Sequence, residues 1–214
     1  MSIGNADFEE LQQKLTPLWN TISRFNDLEQ TIVVVPSLSI PKEFLEKLGP
    51  QVIIYEERML FLLLLLRQPR ARVVYVTSVP VDQRVIDYYL SLLPGVIPSH
   101  AKKRLFPVSV DDSSLDPLSQ KILSNDQVLD RLRDLIIDPD RAHIVPYITT
   151  EIERDLALEL GIPIYGCDPS LAWLGTKSGA REVFETEGIP HPRGVGNLRT
   201  VDELVDALAT MKGL

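Results

Sequence analysis

Small polar residues follow several β-branched runs, at the point where each predicted strand ends. In open parallel sheets, ligands lie beyond the carboxyl ends of the strands, so hydroxyl and carboxylate groups there suit a polar substrate. Thr150, which forms a capping-box pattern with Glu153, and Asp168 also make good helix caps, which is the alternative interpretation. The candidate substrate-binding residues are Thr77, Ser78, Thr149, Thr150 and Glu151.

A second group of candidates lies around the segment Gly175-Thr-Lys-Ser-Gly, which precedes a predicted helix. Backbone N–H groups at a helix N-terminus favour an anion. Lys177 or Arg181 would then meet a phosphate, as in a nucleotide, or a carboxylate. The alternative is that both side chains lie on the solvated face of an ordinary surface helix.

The sequence assigns no catalytic residue. It contains neither G-x-G-x-x-G after a strand nor G-x-x-x-x-G-K-[ST], so dinucleotide and P-loop binding are not supported. His100, His143 and His191 lack metal-ligand spacing, so no metal site is expected. Cys167 has no base beside it in the sequence, and we expect it to be a small buried thiol.

Composition narrows the class of protein. A net charge of −8 argues against nucleic-acid binding, which needs a basic face. One cysteine suits a reducing compartment, and residues 1–10 resemble no secretion signal, so a cytoplasmic protein is expected. The apolar run 59–66 is far below the roughly 18 residues that span a bilayer, so no membrane partner is expected.

Val- and Ile-rich runs predict strands at residues 31–35, 72–76, 105–110, 143–147 and 162–165. Pro107 places the third of these at an edge or a bulge. Strands alternating with helices predict an α/β fold with a Rossmann-like, mostly parallel sheet and flanking helices. An N-terminal helical segment, 1–27, precedes this domain, 28–174, and a C-terminal helical segment, 175–214, follows it.

Helical spacing and capping signals predict helices at residues 7–24, 41–48, 56–67, 82–93, 125–137, 150–160, 168–174 and 201–211. Asp7 with Glu10 is the predicted cap of the first, and Pro17 should kink it or split it into two pieces. Asn26-Asp27 should end it. Asp116-Pro117 predicts another helix start. Residues 51–54 fit either a short strand or a lead-in to the helix at 56–67.

The segment 175–194 reads as an amphipathic helix that stops at Gly188 and is followed by the extended Ile189-Pro190-His191-Pro192. A helix with K…R…F that ends in E-G-I-P-x-P-x-G resembles the entry to the catalytic module of ATP-grasp ligases. Five segments in order narrow the resemblance to carboxylate–amine (peptide) ligases related to the pheganomycin peptide ligase. They are YEERMLFLLLLLRQPRARVVYVTSVPVD, DYYLSLLPG, KKRLF, PYITTEIERDLALELGIPIYG and LGTKSGAREVF.

The resemblance covers about residues 55–194. It implies that 28–174 is a pre-ATP-grasp domain on the acceptor-substrate side and that 175–214 begins a truncated ATP-grasp module. In the family, ATP and Mg²⁺ are bound by later segments, and an acyl phosphate is joined to an amine. Where the family pattern has asparagine in P-[YF]-N-T-T, this chain has Ile148, so a polar contact is missing there.

Two functions follow as expectations. The first is the substrate-side part of an ATP-dependent carboxylate–amine ligase, inactive alone and partnered by a missing C-terminal ATP-grasp domain and small carboxylate and amine substrates. ATP and Mg²⁺ are then expected only in the full-length enzyme, with no cofactor in this chain. The second is a free-standing, non-catalytic α/β protein that binds a ligand or a partner. An exposed apolar patch would favour the first function, and a charged, closed surface the second.

Overall fold

Four parallel strands form the sheet that organises the first part of the chain. They are β1 (Gln30–Val35), β2 (Ala71–Thr77), β3 (Leu105–Ser109) and β4 (Ala142–Pro146), in the order β3-β2-β1-β4. The computed structural model describes residues 3–23 and 28–212. It divides into two compact units, Met1–Gly166 and Cys167–Leu214. The predicted α/β, Rossmann-like fold is confirmed.

The helices of the first unit are α1 (Ile3–Gln12), α2 (Leu15–Ser23), α3 (Lys42–Leu48), α4 (Gln51–Glu57), α5 (Gln83–Ser91), α6 (Pro98–Lys102), α7 (Leu118–Leu123), α8 (Asp126–Leu135) and α9 (Glu151–Leu160). Two 3₁₀ helices, Arg58–Arg67 and Pro139–Arg141, join them. The second unit holds a 3₁₀ helix, Pro169–Gly175, with α10 (Lys177–Thr186) and α11 (Val201–Lys212). None of the helices in the described ranges combines the length and the apolarity that a membrane crossing needs.

Both faces of the sheet are covered, which explains the continuous apolar strands. On one face, α1, α7, α8 and α9 pack through residues such as Phe8, Ile122 and Leu156. On the other face, the 3₁₀ helix 58–67, α5 and α6 pack through residues such as Leu63 and Leu90. The edge position of β3 agrees with the prediction from its proline.

The predicted strand 162–165 is wrong as a strand, because it forms one isolated parallel bridge between Ile164 and Ile144. Pro163 lacks the N–H that would extend the ladder. The amide of Gln12 occupies the other side of Ile164, accepting its N–H at 2.7 Å and donating to its carbonyl at 3.1 Å. The side chain of Gln12 therefore takes the place of a further strand.

The N-terminal helix is split into two pieces, which is one of the two predicted effects of Pro17. Its start differs from the prediction. α1 begins at Ile3, so Asp7 lies inside the helix and the predicted cap is wrong. The break comes at 13–14, because Pro17 has no N–H for the carbonyl of Gln13 and its ring would collide with it. The predicted break at Asn26-Asp27 lies outside the described residues.

Residues 51–67 form two helical pieces, not the single helix 56–67, and 51–54 belong to α4. The second piece is a 3₁₀ helix in which Leu60, Leu63 and Leu66 are buried. Three residues per turn place these side chains in one row, because positions i and i+3 eclipse in a 3₁₀ helix. The run is apolar throughout, so the sequence alone did not reveal this spacing.

Two other local predictions were wrong. α7 begins at Leu118, with Pro117 extended (ψ 139°) in the cap position, so Asp116 does not cap it. Cys167 is exposed, not buried. The last strand-like pairing before Cys167 in the described part of the chain is the bridge at Ile164. Cys167 is therefore not part of a sheet strand that would bury its side chain.

Both α-helices of the second unit begin at side-chain caps, and Gly188 ends α10 as predicted. Thr176 accepts the N–H of Gly179 at 2.9 Å and caps α10, while Gly188 (φ +67°) ends it in the left-handed region. Glu203 and Thr200 exchange the hydrogen bonds of a capping box at the start of α11.

Candidate functional site

A buried carboxylate lies at the carboxyl end of β2. Glu56, at the end of α4, is only 3% exposed. It accepts hydrogen bonds from the backbone N–H and the hydroxyl of Ser78, both at 2.5 Å. Burial raises the pKa of Glu56, and the hydrogen bonds from Ser78 and the charge of Lys121 oppose that rise.

Lys121 of α7 completes this group, and its side chain is also buried. Its Nζ donates to the hydroxyl of Ser78 at 2.8 Å and to the carbonyls of Asp112 at 3.0 Å and Ser114 at 2.7 Å. Burial lowers the pKa of Lys121, and the charges of Glu56 and nearby aspartates oppose this. We call Glu56, Ser78 and Lys121 the acid–lysine cluster, in which the Ser78 hydroxyl links the two charges.

A second buried carboxylate lies beside β1. Glu153 of α9 is fully buried and accepts the N–H of Thr150 at 2.9 Å and the hydroxyls of Thr150 and Ser39, each at 2.5 Å. Ser39 shares a hydrogen bond of 2.8 Å with Ser37, whose Oγ accepts the N–H of Ser119 at 3.0 Å. We call Ser37, Ser39, Thr150 and Glu153 the serine–glutamate cluster.

Helix α7 joins the two clusters across the carboxyl end of the sheet. The backbone N–H of Ser119 contacts the serine–glutamate cluster, and the ammonium of Lys121 contacts the acid–lysine cluster. Each buried charge at this edge therefore has hydrogen-bond partners among the protein's own groups. Lys121 in particular has three donors and three acceptors, so it holds the loop 112–114 in place and has no donor left for a ligand.

A small polar cavity of about 160 Å³ opens beside α7. Its lining includes Asp112, Asp116 and Lys121. The hydrogen bond from the backbone of Ser114 lowers the pKa of Asp112, so this carboxyl group is ionised at neutral pH. Because the ammonium of Lys121 is already saturated, the cavity offers carboxylates to an incoming group. Its chemistry suits a small cationic group such as an ammonium.

The structure places the predicted substrate-binding residues in different roles. Ser78 is fully buried in the acid–lysine cluster, and Thr77 is buried and donates to the carbonyl of Val79 at 2.7 Å. Thr150 caps α9, as the alternative interpretation held. Glu151 is exposed, and Thr149 is partly buried, with its hydroxyl close to Gly166. The five residues do not gather around one cavity of the described structure.

The predicted anion-binding residues lie in the second unit. Lys177 is exposed in the first turn of α10. Arg181 donates from Nη1 to the carbonyl of Pro192 at 2.7 Å, so it fixes the extended segment that follows the helix. Asp168 caps the 3₁₀ helix 169–175 through Ser170, again as the alternative held.

The sequence reasoning missed Glu56, Lys121 and Glu153. One signal was present for Lys121, because it lies beside Leu118 and Ile122 on the apolar side of a short helix. Glu153 was predicted only as part of a capping box, and its bond to Ser39 spans 114 residues. Such distant pairings leave no local pattern.

Comparison with known proteins identifies two distant relatives. The chain is 28% identical over 223 aligned residues to IQ motif-containing protein H of Danio rerio, covering 96% of this chain and 20% of that protein. It is 26% identical over 198 residues to L-propargylglycine–L-glutamate ligase of Streptantibioticus cattleyicolor, covering 88% of this chain and 40% of the ligase. No protein-family model and no solved structure matches it. The chain thus spans a fifth to two fifths of these relatives, and it is distantly related to a ligase.

Proposed function

We propose that this chain is the N-terminal, substrate-side part of an ATP-dependent carboxylate–amine ligase of the ATP-grasp type. The observation that carries the proposal is the alignment of 88% of the chain with part of an amino-acid ligase. The Rossmann-like sheet and the motifs of residues 55–194 support it, since the same motifs occur in the same order in the ligases that the sequence resembles.

In this proposal the cavity beside α7 receives the acceptor amine. Asp112 and Asp116 would hold its ammonium group, and the acid–lysine cluster would keep the loop that carries Asp112 in shape. Lys177 would lie near the nucleotide. ATP and Mg²⁺ would be bound by a further ATP-grasp domain, and this chain alone would not turn over ATP.

The exposed apolar face of α11 supports a further domain. Its exposed apolar residues recur at helical spacing, and they are Val201, Leu204, Val205, Leu208 and Met211. An unpaired apolar stripe of this kind is typical of a surface that another part of a protein covers. The ATP-grasp domain is the occupant that the ligase proposal supplies.

The test is ADP release by the whole protein, including any segments beyond these 214 residues, from ATP, Mg²⁺, L-glutamate and L-propargylglycine, the pair named for the relative. Other carboxylate and amine pairs would follow. We expect ADP only when both a carboxylate and an amine are present. An Asp116→Asn variant should raise the KM for the amine, whereas Asp202→Asn on α11 should not. A purified 214-residue chain whose ATP turnover is abolished by Lys177→Ala would contradict the proposal.

A second candidate is a non-catalytic α/β protein that binds a ligand or a partner. The alignment of 96% of the chain with a protein named for IQ motifs, not for a ligase activity, favours it. Immunoblotting of the native protein separates the two. A band at the chain's own 24.1 kDa, or at about five times that size as in the IQ motif-containing relative, favours the second candidate, and a band at about two and a half times that size favours the ligase.

A further inference from the structure

A large apolar cavity lies in the first unit, away from the carboxyl end of the sheet. It has a volume of about 610 Å³, which is the size of a small-molecule site. It lies between α2, the 3₁₀ helix 58–67 and one face of β1 and β4. The described residues that line it are Leu15, Thr16, Leu18, Trp19, Asn20, Gln30, Ile32, Leu62, Leu65, Gln68, His143, Val145 and Tyr165.

The lining defines the chemistry of an occupant. No Asp, Glu, Lys or Arg is among the described lining residues, so a charged molecule would lose its hydration without gaining a counter-charge. Most of the wall is aliphatic or aromatic. The described wall therefore suits an occupant that is neutral and largely apolar.

Two of the lining residues carry a buried polar atom that lacks a partner within the described part of the chain. Nδ1 of His143, a side chain with 8% exposure, has no hydrogen-bond partner, and neither does Oε1 of Gln30. Buried polar atoms are normally paired, so an orphan in a cavity wall is a specific signal. A neutral imidazole can accept a hydrogen bond at this nitrogen, and an amide oxygen is an acceptor. The imidazole is neutral at pH 7, because burial lowers the pKa of His143 to about 4.

We propose that this cavity binds a neutral apolar molecule that carries at least one N–H or O–H donor, and that a small rotation of the His143 or Gln30 side chain brings the unpaired acceptor to that donor. Tyr165 packs edge-on against His143, with ring centroids 6.3 Å apart, and holds the imidazole in position. The site is independent of the ligase proposal, because it uses none of the groups at the carboxyl end of the sheet.

The experiment uses two neutral fluorescent probes. N-phenyl-1-naphthylamine has one N–H donor, and diphenylhexatriene has none. The chain contains two tryptophans, so Trp173→Phe leaves Trp19, in the cavity wall, as the energy donor. We expect saturable binding of N-phenyl-1-naphthylamine at one site per chain, with energy transfer from Trp19.

Cavity-filling variants test the location. Val145→Phe should weaken binding of both probes at least tenfold, and Val195→Phe, at an exposed position of the second unit, should leave both unchanged. A lowered urea midpoint would show that Val145→Phe disturbs folding. In that case Thr16→Phe, at an exposed position of the lining, is the second filling variant and should weaken binding of both probes. Saturable binding that ignores both filling variants, or no saturable binding, overturns the proposal.

His143→Leu tests the polar contact. It should weaken N-phenyl-1-naphthylamine about fivefold, the loss of one hydrogen bond, while diphenylhexatriene binds as before or more tightly. If Gln30 is the acceptor, Gln30→Leu gives the same split. An equal loss for both probes, or no split in either variant, would overturn the donor requirement.

Discussion

Replacing Lys121 with methionine tests whether the acid–lysine cluster fixes the carboxyl end of the sheet. Methionine keeps most of the apolar stem but removes the ammonium group. The hydroxyl of Ser78 and the carbonyls of Asp112 and Ser114 each lose a donor, and Glu56 is left as a buried carboxylate without its cation. Removing the burial penalty of the lysine offsets part of this loss.

The loss should outweigh that gain. Hydrogen bonds from a charged donor contribute about 1.5–3 kcal/mol each, and breaking a buried charge pair on one side costs about 3–5 kcal/mol. We therefore expect Lys121→Met to lower the free energy of unfolding by about 3–5 kcal/mol, a large part of the roughly 5–15 kcal/mol of a typical domain. Urea denaturation at pH 7, followed by circular dichroism, measures this.

A double-mutant cycle identifies the cause. Glu56→Gln alone leaves Lys121 without its carboxylate, whereas the double variant removes both charges. The double variant should lose about 1–2 kcal/mol less than the sum of the single variants. Lys102→Met is the matched control, because Lys102 pairs with Asp87 at 3.3 Å on the exposed surface, and its urea midpoint should stay near that of the wild type. Additive losses, or a loss under 1 kcal/mol for Lys121→Met, would refute the reasoning.

Three further predictions concern other parts of the chain. Gly179→Ala should destabilise the second unit by about 1–3 kcal/mol, because a Cβ there collides with the backbone carbonyl of Trp173. Gly175→Ala is the control, because a Cβ at that position has open space and should be tolerated. Tryptophan fluorescence during urea denaturation compares the two variants. Thr150→Ala should cost about 1 kcal/mol through the lost cap of α9, measured by thermal denaturation. Burial depresses the pKa of His143 in the folded state to about 4, so its contribution to stability is present above pH 6.5 and is lost as the pH falls towards 4. Over that range the free energy of unfolding of the wild type should fall by roughly 3 kcal/mol more than that of His143→Leu. Parallel pH profiles of urea denaturation for the two proteins would contradict this.

Local signals account for what the sequence predicted well. Short apolar runs, rich in β-branched residues in β1 and β2, predicted the four strands, and Thr150 with Glu153 predicted the capped start of α9. These features depend on neighbours within about four residues of each other. For the same reason Pro107 alone limited β3 to an edge or a bulge, and the structure places β3 at the edge.

The site could not be predicted in the same way, because its contacts join distant parts of the chain. Ser78 meets Glu56 from 22 residues away and Lys121 from 43. A lysine in a short helix is normally solvated, and only the tertiary arrangement shows that Lys121 is buried. The predicted substrate-binding residues Ser78 and Thr150 lie at the carboxyl end of the sheet, where Ser78 bonds to Glu56 and Thr150 caps α9.

The two polar clusters explain how a six-residue helix can hold the carboxyl end of a sheet. α7 contributes Leu118 and Ile122 to the apolar core, but apolar contacts tolerate sliding and do not fix one register. The bonds of Ser119 to Ser37 and of Lys121 to Ser78 are directional, so a shift of α7 along its axis would break both. The loop that carries Asp112 is tied to the same lysine. The acidic cavity therefore keeps its shape because charges buried behind it fix the helix beside it.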